Sequence, residues 1–250
     1  MLGRHISGAY GILLTQKLEE IPRAREHFLA ALTADPTLSG AYTGLAWLHI
    51  MESGAYGLVP FEDASRLAAE QARKAVTADP NDPYAHAMLA FALSNLKNWK
   101  GVADHVERAL AISPSCAAAY HVRGMNRVFS GHPSEGRSDL FLALQLDPHR
   151  HGFPLIHVAI SYYMQHNYEK AAEVLNGIVA DHPSHPLANM RLAAALGQLG
   201  RKEEARRTLE IAMTLAPEAF RRNTEARAPW LRPEDYEHLL DGLRKAGWQG

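Results

Sequence analysis

The residues with most capacity for chemistry in this 250-residue chain are its fourteen histidines. Imidazoles bind transition metals and move protons near neutral pH, so their spacing matters first. They cluster as His149-Arg150-His151 with His157, and as His182-Pro183-Ser184-His185. Neither group has a nearby cysteine, and neither has the His-Glu-x-x-His spacing that sets two imidazoles on one helical face. A closed zinc site needs four well-placed ligands, so no metal is expected. Cys116 is the only cysteine, which excludes an intramolecular disulfide and a cysteine-rich zinc site. The chain has no Gly-x-x-x-x-Gly-Lys-Ser/Thr phosphate loop and no Gly-x-Ser-x-Gly nucleophile elbow. Carboxylates are plentiful but sit beside Lys or Arg, and no pair stands out as acid and base. The expectation is a protein with no catalytic residues and no cofactor, and not an enzyme.

Arg123 and Arg127 are the remaining charged candidates. Four residues apart, they share one helical face. They form either a structural ion network with Asp104, Glu107, Glu135 or Asp139, or a local anion site.

The whole-chain balance is neutral. Composition is 47% hydrophobic and 21% charged, with a formal net charge of −1. No global field draws the chain toward nucleic acid or anionic lipid. The N-terminus lacks a positive region followed by a sustained apolar stretch, and no run reaches the roughly 18 apolar residues needed to span a bilayer. The sequence reads as a soluble, cytoplasmic chain with neither a nucleic-acid nor a membrane partner.

The elements that position these residues repeat. Pro36, Pro80, Pro114, Pro148, Pro183 and Pro217 are separated by 44, 34, 34, 35 and 34 residues. Each follows an apolar-periodic segment, such as HFLAALTADP or QARKAVTADP, and ends a helix because proline lacks an N–H and biases its predecessor away from the α region. With each proline at position 32 of a 34-residue unit, position 8 reads Ile12, Ala46, Ala90, Gly124, Ala159 and Ala193. Position 20 reads Ala24, Ala68, Val102, Gly136, Ala171 and Ala205. Small residues recur where two helices must approach closely, and large ones (Phe28, Val106, Leu140, Leu175, Leu209) sit at position 24. The extra residues of the second unit fall at 51–61, read either as a longer first helix with a loose turn or as a partner-contacting loop. Beyond Pro217, residues 218–232 read as an irregular, locally basic connector. A last helix then carries Tyr236, Leu239, Leu240 and Leu243 on one stripe, with Pro233 at its start and Gly247 at its end. It is expected to cap the array over the neighbourhood of Leu209 and Met213.

This alignment of small residues, large residues and prolines resembles the tetratricopeptide-repeat (TPR) family over residues 5–217. The resemblance implies an all-α TPR superhelical solenoid: about six helix-turn-helix repeats over 1–217, the connector 218–232, and a C-terminal capping helix at 233–250. It also implies a concave groove lined by the first helix of each repeat. The groove positions hold Trp47 and Met51, then Tyr84, Met88 and Phe91, then Met125, Val128 and Phe129. The fifth repeat supplies Phe153, Ile156, Ile160, Tyr163 and Met164, and the sixth Leu187 and Met190. Such a wall reads either as buried core or as an apolar, Met-rich docking surface for a partner protein, a helix or an extended peptide. Some TPR proteins hold a peptide carboxylate with a Lys/Asn/Arg clamp, but Lys17, Asn95 and Arg191 lie in non-adjacent repeats, which disfavours one here. The function expected is that of a non-catalytic protein-binding scaffold. Self-association through the same groove is the weaker alternative.

Pro233-Glu-Asp-Tyr-Glu-His-Leu-Leu-Asp-Gly-Leu-Arg-Lys-Ala-Gly-Trp248 also resembles the closing helix of a group of proteobacterial signalling proteins. Those join a class III adenylate/guanylate cyclase domain, or a winged-helix DNA-binding domain, to a C-terminal TPR array. Ala41–Trp47 and Lys74–Pro83 resemble the same group. The metal-binding aspartates and purine-reading residues of a cyclase have no counterpart here. What the resemblance implies is the regulatory half of such a system, acting on a cyclase or winged-helix partner.

Overall fold

The computed structural model describes residues 18–54, 57–148, 152–228 and 231–250. Among these residues the chain is helical without strands. After a short 3-10 turn at Leu18–Glu20 come α1 (Ile21–Ala34), α2 (Ser39–Gly54), α3 (Phe61–Ala78), α4 (Pro83–Asn95), α5 (Trp99–Ile112), α6 (Ala117–Phe129) and α7 (Pro133–Leu146). There follow α8 (Gly152–Met164), α9 (Tyr168–Asp181), α10 (Pro186–Gln198), α11 (Lys202–Leu215), α12 (Pro217–Glu225) and α13 (Pro233–Lys245). The first helix expected for the first repeat lies outside the described residues. Residues 218–225, expected to be irregular, instead continue from Pro217 as α12, because proline suits the first helical turn and Arg221 pairs with Glu218 and Glu225 along the helix.

Each repeat proline falls just past the end of α1, α3, α5, α7, α9 or α11, where its missing donor costs no helical hydrogen bond. Starts are set as locally. Asp82 caps α4 by accepting from the Tyr84 and Ala85 amides at 2.8 and 3.3 Å. Asn98 and Asn167 cap α5 and α9, satisfying amides that would otherwise lack partners. Lys97, Gly131, His166 and Gly200 all take positive φ in the tight turn inside successive repeats.

Two compact units divide the chain within α6, one formed by residues 1–54 and 59–122, the other by 55–58 and 123–250. In the first, neighbours in sequence pack in turn from α1 to α5, and α2 also packs directly on α4. Its core is alanine-rich, with Ala46, Ala68, Ala72, Ala75, Ala90 and Ala109 around the fully buried Phe28 and Leu48. Cys116 is a small apolar filler there, packed with Ala87, Ala109 and Ala119.

In the second unit, α7 through α11 pack in the same serial way, around Val128, Leu140, Ile156, Val158 and Leu175. Residues 51–61 partly extend α2, which runs to Gly54. Gly57, at φ 70°, belongs to the second unit, and a Cβ there would meet the Ala219 backbone nitrogen at 2.7 Å. Only glycine fits such an approach at positive φ.

The last helix departs from the sequence expectation in where it lies. α13 packs on α10, while Met213 of α11 remains 43% exposed. Leu239 and Leu243 are buried in that seat, so the apolar stripe is covered, but by the first helix of the sixth repeat rather than by its second.

Candidate partner-binding groove

The residues proposed for the groove fall on two faces, one in each unit. In the first unit the Trp47 and Phe91 rings meet edge-on at 5.9 Å, and Phe91 lies 6.1 Å from His121. Met51 and Phe91 are buried, Trp47 and Met88 half-buried, and Tyr84 is 40% exposed. In the second unit Phe129 packs edge-on against His157 at 5.8 Å. Met125, Phe129, Ile156, Tyr163 and Met190 are all buried there, and Met164 is half-buried. Phe153 lies on α8, with its side chain outside the described residues, as are His149 and His151. The aromatic row is thus mostly packed side against side, with its exposed edge at Tyr84, Trp47 and Met88.

The second face carries α13, and the seat is specific. Tyr163 Oη donates to the His238 carbonyl at 2.9 Å. Gln198 Nε2 donates to Asp241 at 2.9 Å, and Lys245 Nζ donates to Gln198 Oε1 at 2.8 Å. The helices cross at two glycines: a Cβ on Gly197 would run into the Gly242 carbonyl, and one on Gly242 into Tyr163 Oη and the Ala194 carbonyl. His238 lies between two rings, stacked on Tyr163 at 4.5 Å and on His166 at 4.6 Å. Tyr168 Oη links both imidazoles, 2.6 Å from His166 Nδ1 and 2.8 Å from His238 Nε2.

Electrostatics follow from this enclosure. Burial holds the Tyr163 phenol well above its ordinary range and pulls the Arg191 guanidinium down to about 10. Arg191 Nε has no hydrogen-bond partner among the described residues. The Lys245 ammonium holds Asp241 below the usual carboxylate range. Burial, then His166, pushes His238 down, because a proton there would bring charge into a partly dry site. Sequence reasoning passed over His166, Tyr168, Gln198 and His238. The signal available was Gly197 and Gly242, since glycine inside a helix costs about 1 kcal/mol and points to a close approach.

Arg123 and Arg127 converge on one carboxylate. Arg123 donates to Asp139 through Nε at 2.9 Å and Nη2 at 2.6 Å, and Arg127 Nη1 donates at 2.8 Å. Asp139 is 6% exposed, whereas both arginines are partly open to solvent. His185, from the second histidine cluster, caps α10 by accepting from the Ala188 amide through Nδ1. Among the described residues, no group of three or more His, Cys, Asp or Glu is arranged to hold a metal ion. No described helix is long and apolar enough to cross a membrane.

A tetratricopeptide-repeat profile matches residues 162–221 of this series of helix pairs. The fold is that of a TPR solenoid. In TPR terms, α2, α4, α6, α8 and α10 are the first helices of their repeats, and α13 lies against the last of them.

Solved structures agree at the level of fold. The chain is similar to a monomeric mutant of IFIT1 with m7Gppp-AAAA, at TM-score 0.71 and 15% identity, over 98% of this chain and 59% of that one. It is also similar to the APC/C hetero-tetramer Cut9–Hcn1, at TM-score 0.64 and 14% identity, covering 92% of this chain but only 40% of that one. The type IV pilus biogenesis factor PilW matches at TM-score 0.56 and 20% identity, over 83% and 88%. No curated protein matches the sequence. TPR folds commonly mediate protein–protein interaction and are generally non-catalytic.

Proposed function

We propose that this protein is a non-catalytic adaptor that binds an amphipathic helix or extended peptide of a protein partner along the first helices of its repeats. The observation that carries this reading is α13. An amphipathic helix of the same chain rests on α10 and Tyr163, burying Leu239 and Leu243. A face of this construction therefore accepts a helix. In the first unit the corresponding face offers Trp47, Tyr84 and Met88, with Phe91 behind them.

Interface energy usually concentrates in a few anchors, each worth about 2 kcal/mol or more when truncated. Phe91, Phe129 and Tyr163 are poor probes because they are buried. Removing such a side chain costs about 3–5 kcal/mol of stability, which would be mistaken for lost binding. Tyr84→Ala and Met88→Ala are the informative variants. Each is expected to weaken a purified partner at least tenfold, about 1.4 kcal/mol, with helicity unchanged. Salt is expected to have little effect, since the face carries no dense charge to screen. The test is to isolate a partner from the source cells and titrate it against both variants over a salt series. Unchanged affinity in both folded variants sinks the reading. A steep loss with salt redirects it to Arg123, Arg127 and the basic residues of 218–232. Titrating the chain against itself tests self-association through the same face.

A second reading is regulatory: the chain modulates a cyclase or winged-helix partner. It is favoured by one observation, that the closing segment resembling those signalling proteins, unlike Ala41–Trp47 and Lys74–Pro83, forms the helix α13 that rests on α10. Finding a cyclase or winged-helix domain encoded alongside this chain would support it.

A further inference from the structure

We propose that α13 is a pH-gated plug, an intramolecular occupant of the second unit's helix-binding face that is released when His238, stacked between Tyr163 and His166, takes up a proton. The proposal rests on the reading of that face as helix-binding and adds how it is opened.

The seat is closed by groups from four elements. α8 contributes Tyr163, the turn after it His166, α9 Tyr168, and α10 Gln198 with Arg191. α13 itself brings His238, Asp235, Asp241 and Lys245. Asp235 is held by Arg232 at 2.6 and 3.0 Å, and Asp241 by Lys245 and Gln198. Both carboxylates facing the stack are thus already engaged by cations or amides. Burial, His166 and Lys245 disfavour a charged His238, outweighing Asp235 and Asp241, so its pKa lies below the ordinary value.

The enclosure makes His238 sensitive to protons. With a neutral ring, Tyr168 can donate to one imidazole and accept an N–H from the other, so both short hydrogen bonds are satisfied in either direction. A protonated His238 has no acceptor left, so its Nε2 can only donate and Tyr168 is confined to one arrangement. The added charge lies in a partly dry site, stacked 4.6 Å from the His166 ring and beside Lys245. Once α13 leaves, His238 is solvated and separated from His166, so the open form binds protons more tightly. Opening is therefore favoured as pH falls below about 6.5 and disfavoured above it.

The test is hydrogen exchange on the full chain at about pH 7.5 and about pH 5.5, corrected for the intrinsic rate, with α10 as internal reference. One imidazole excluded from protonation when closed permits up to about a tenfold rise in the open population over that range. Wild-type α13 is expected to approach that rise. H238Q is expected to abolish it. H166N is expected to reduce it without disturbing the turn, because His166 sits at φ 59° and asparagine tolerates that conformation. No change in wild type, or an undiminished change in H238Q, overturns the gate. A labelled peptide of residues 233–248 carrying H238Q separates the two ideas. It is expected to bind the full chain at about pH 5.5 and much more weakly at about pH 7.5. If α13 opens but the peptide does not bind, the plug stands and the helix-binding reading of this face fails. Equal binding at both pH values refutes the gate and leaves the reading intact.

Discussion

Replacing Gly136 with alanine moves the fourth repeat toward the others, yet the structure predicts that it destabilises the protein. The equivalent pairs elsewhere are Ala46 with Ala68, Ala90 with Val102, Ala159 with Ala171, and Ala193 with Ala205. By helix propensity alone, Gly→Ala gains about 0.5–1 kcal/mol. Here the two helices meet glycine to glycine. A Cβ on Gly136 would lie 2.5 Å from the Gly124 carbonyl oxygen, 2.8 Å from the Val128 nitrogen and 2.7 Å from Val128 Cγ2. The two backbone atoms cannot rotate away, so α6 and α7 must separate. Separation loosens Val128 and Leu140, both fully buried, and stretches the Arg123–Asp139 pair. Overpacking of this kind costs about 1–3 kcal/mol, so after the propensity gain the net expectation is a loss of up to about 2.5 kcal/mol. Gly124→Ala meets the Gly136 carbonyl at 2.7 Å from the other side and is expected to act alike. The double variant should lose less than the sum, since one separation accommodates both methyl groups. Urea titration followed by far-ultraviolet circular dichroism measures each variant. A Gly136→Ala midpoint at or above wild type would refute the reasoning, because it would mean the helices yield freely.

Asp139→Ala is expected to cost about 2–4 kcal/mol in the same titration, given three charge-assisted hydrogen bonds discounted for the partial exposure of both arginines; a loss below about 1 kcal/mol would make the network ornamental. The other prediction concerns acid. Burial first, then His182, pulls His185 down to about 4, so the fold prefers the neutral ring. Its contribution is complete above the unfolded value of about 6.5 and declines as pH falls from there to about 4, by at most about 3 kcal/mol. His185→Asn keeps an N-cap that cannot titrate and is expected to flatten the stability–pH curve over that window; an unchanged slope would count against it.

Repeat and fold class were readable because both arise from local chemistry. Prolines at the 34-residue repeat ended one helix of each unit, others such as Pro83, Pro133 and Pro186 opened the next helix, and small residues marked the helix crossings without knowledge of the third dimension. The last helix was legible in the same way, from Pro233, the Tyr236–Leu243 stripe and Gly247. Its seat was not. Leu239 and Leu243 require some apolar cover, but periodicity does not say whether α10 or α11 provides it. That choice depends on Gly197 and Gly242 coming face to face across a separation of 45 residues. The ion pair shows the same limit: four carboxylates were equally open to Arg123 and Arg127, and only the crossing at Gly124 and Gly136 brings Asp139 to both. Nothing in the sequence marked His166, a non-glycine residue at positive φ whose ring stacks on His238. Phe91 and Tyr163 occupy groove positions by pattern, while their burial depends on how closely successive first helices pack. A pattern of residue types records which faces must be covered. Which surface covers them depends on side-chain volumes distant in sequence, and those meet only in the folded chain.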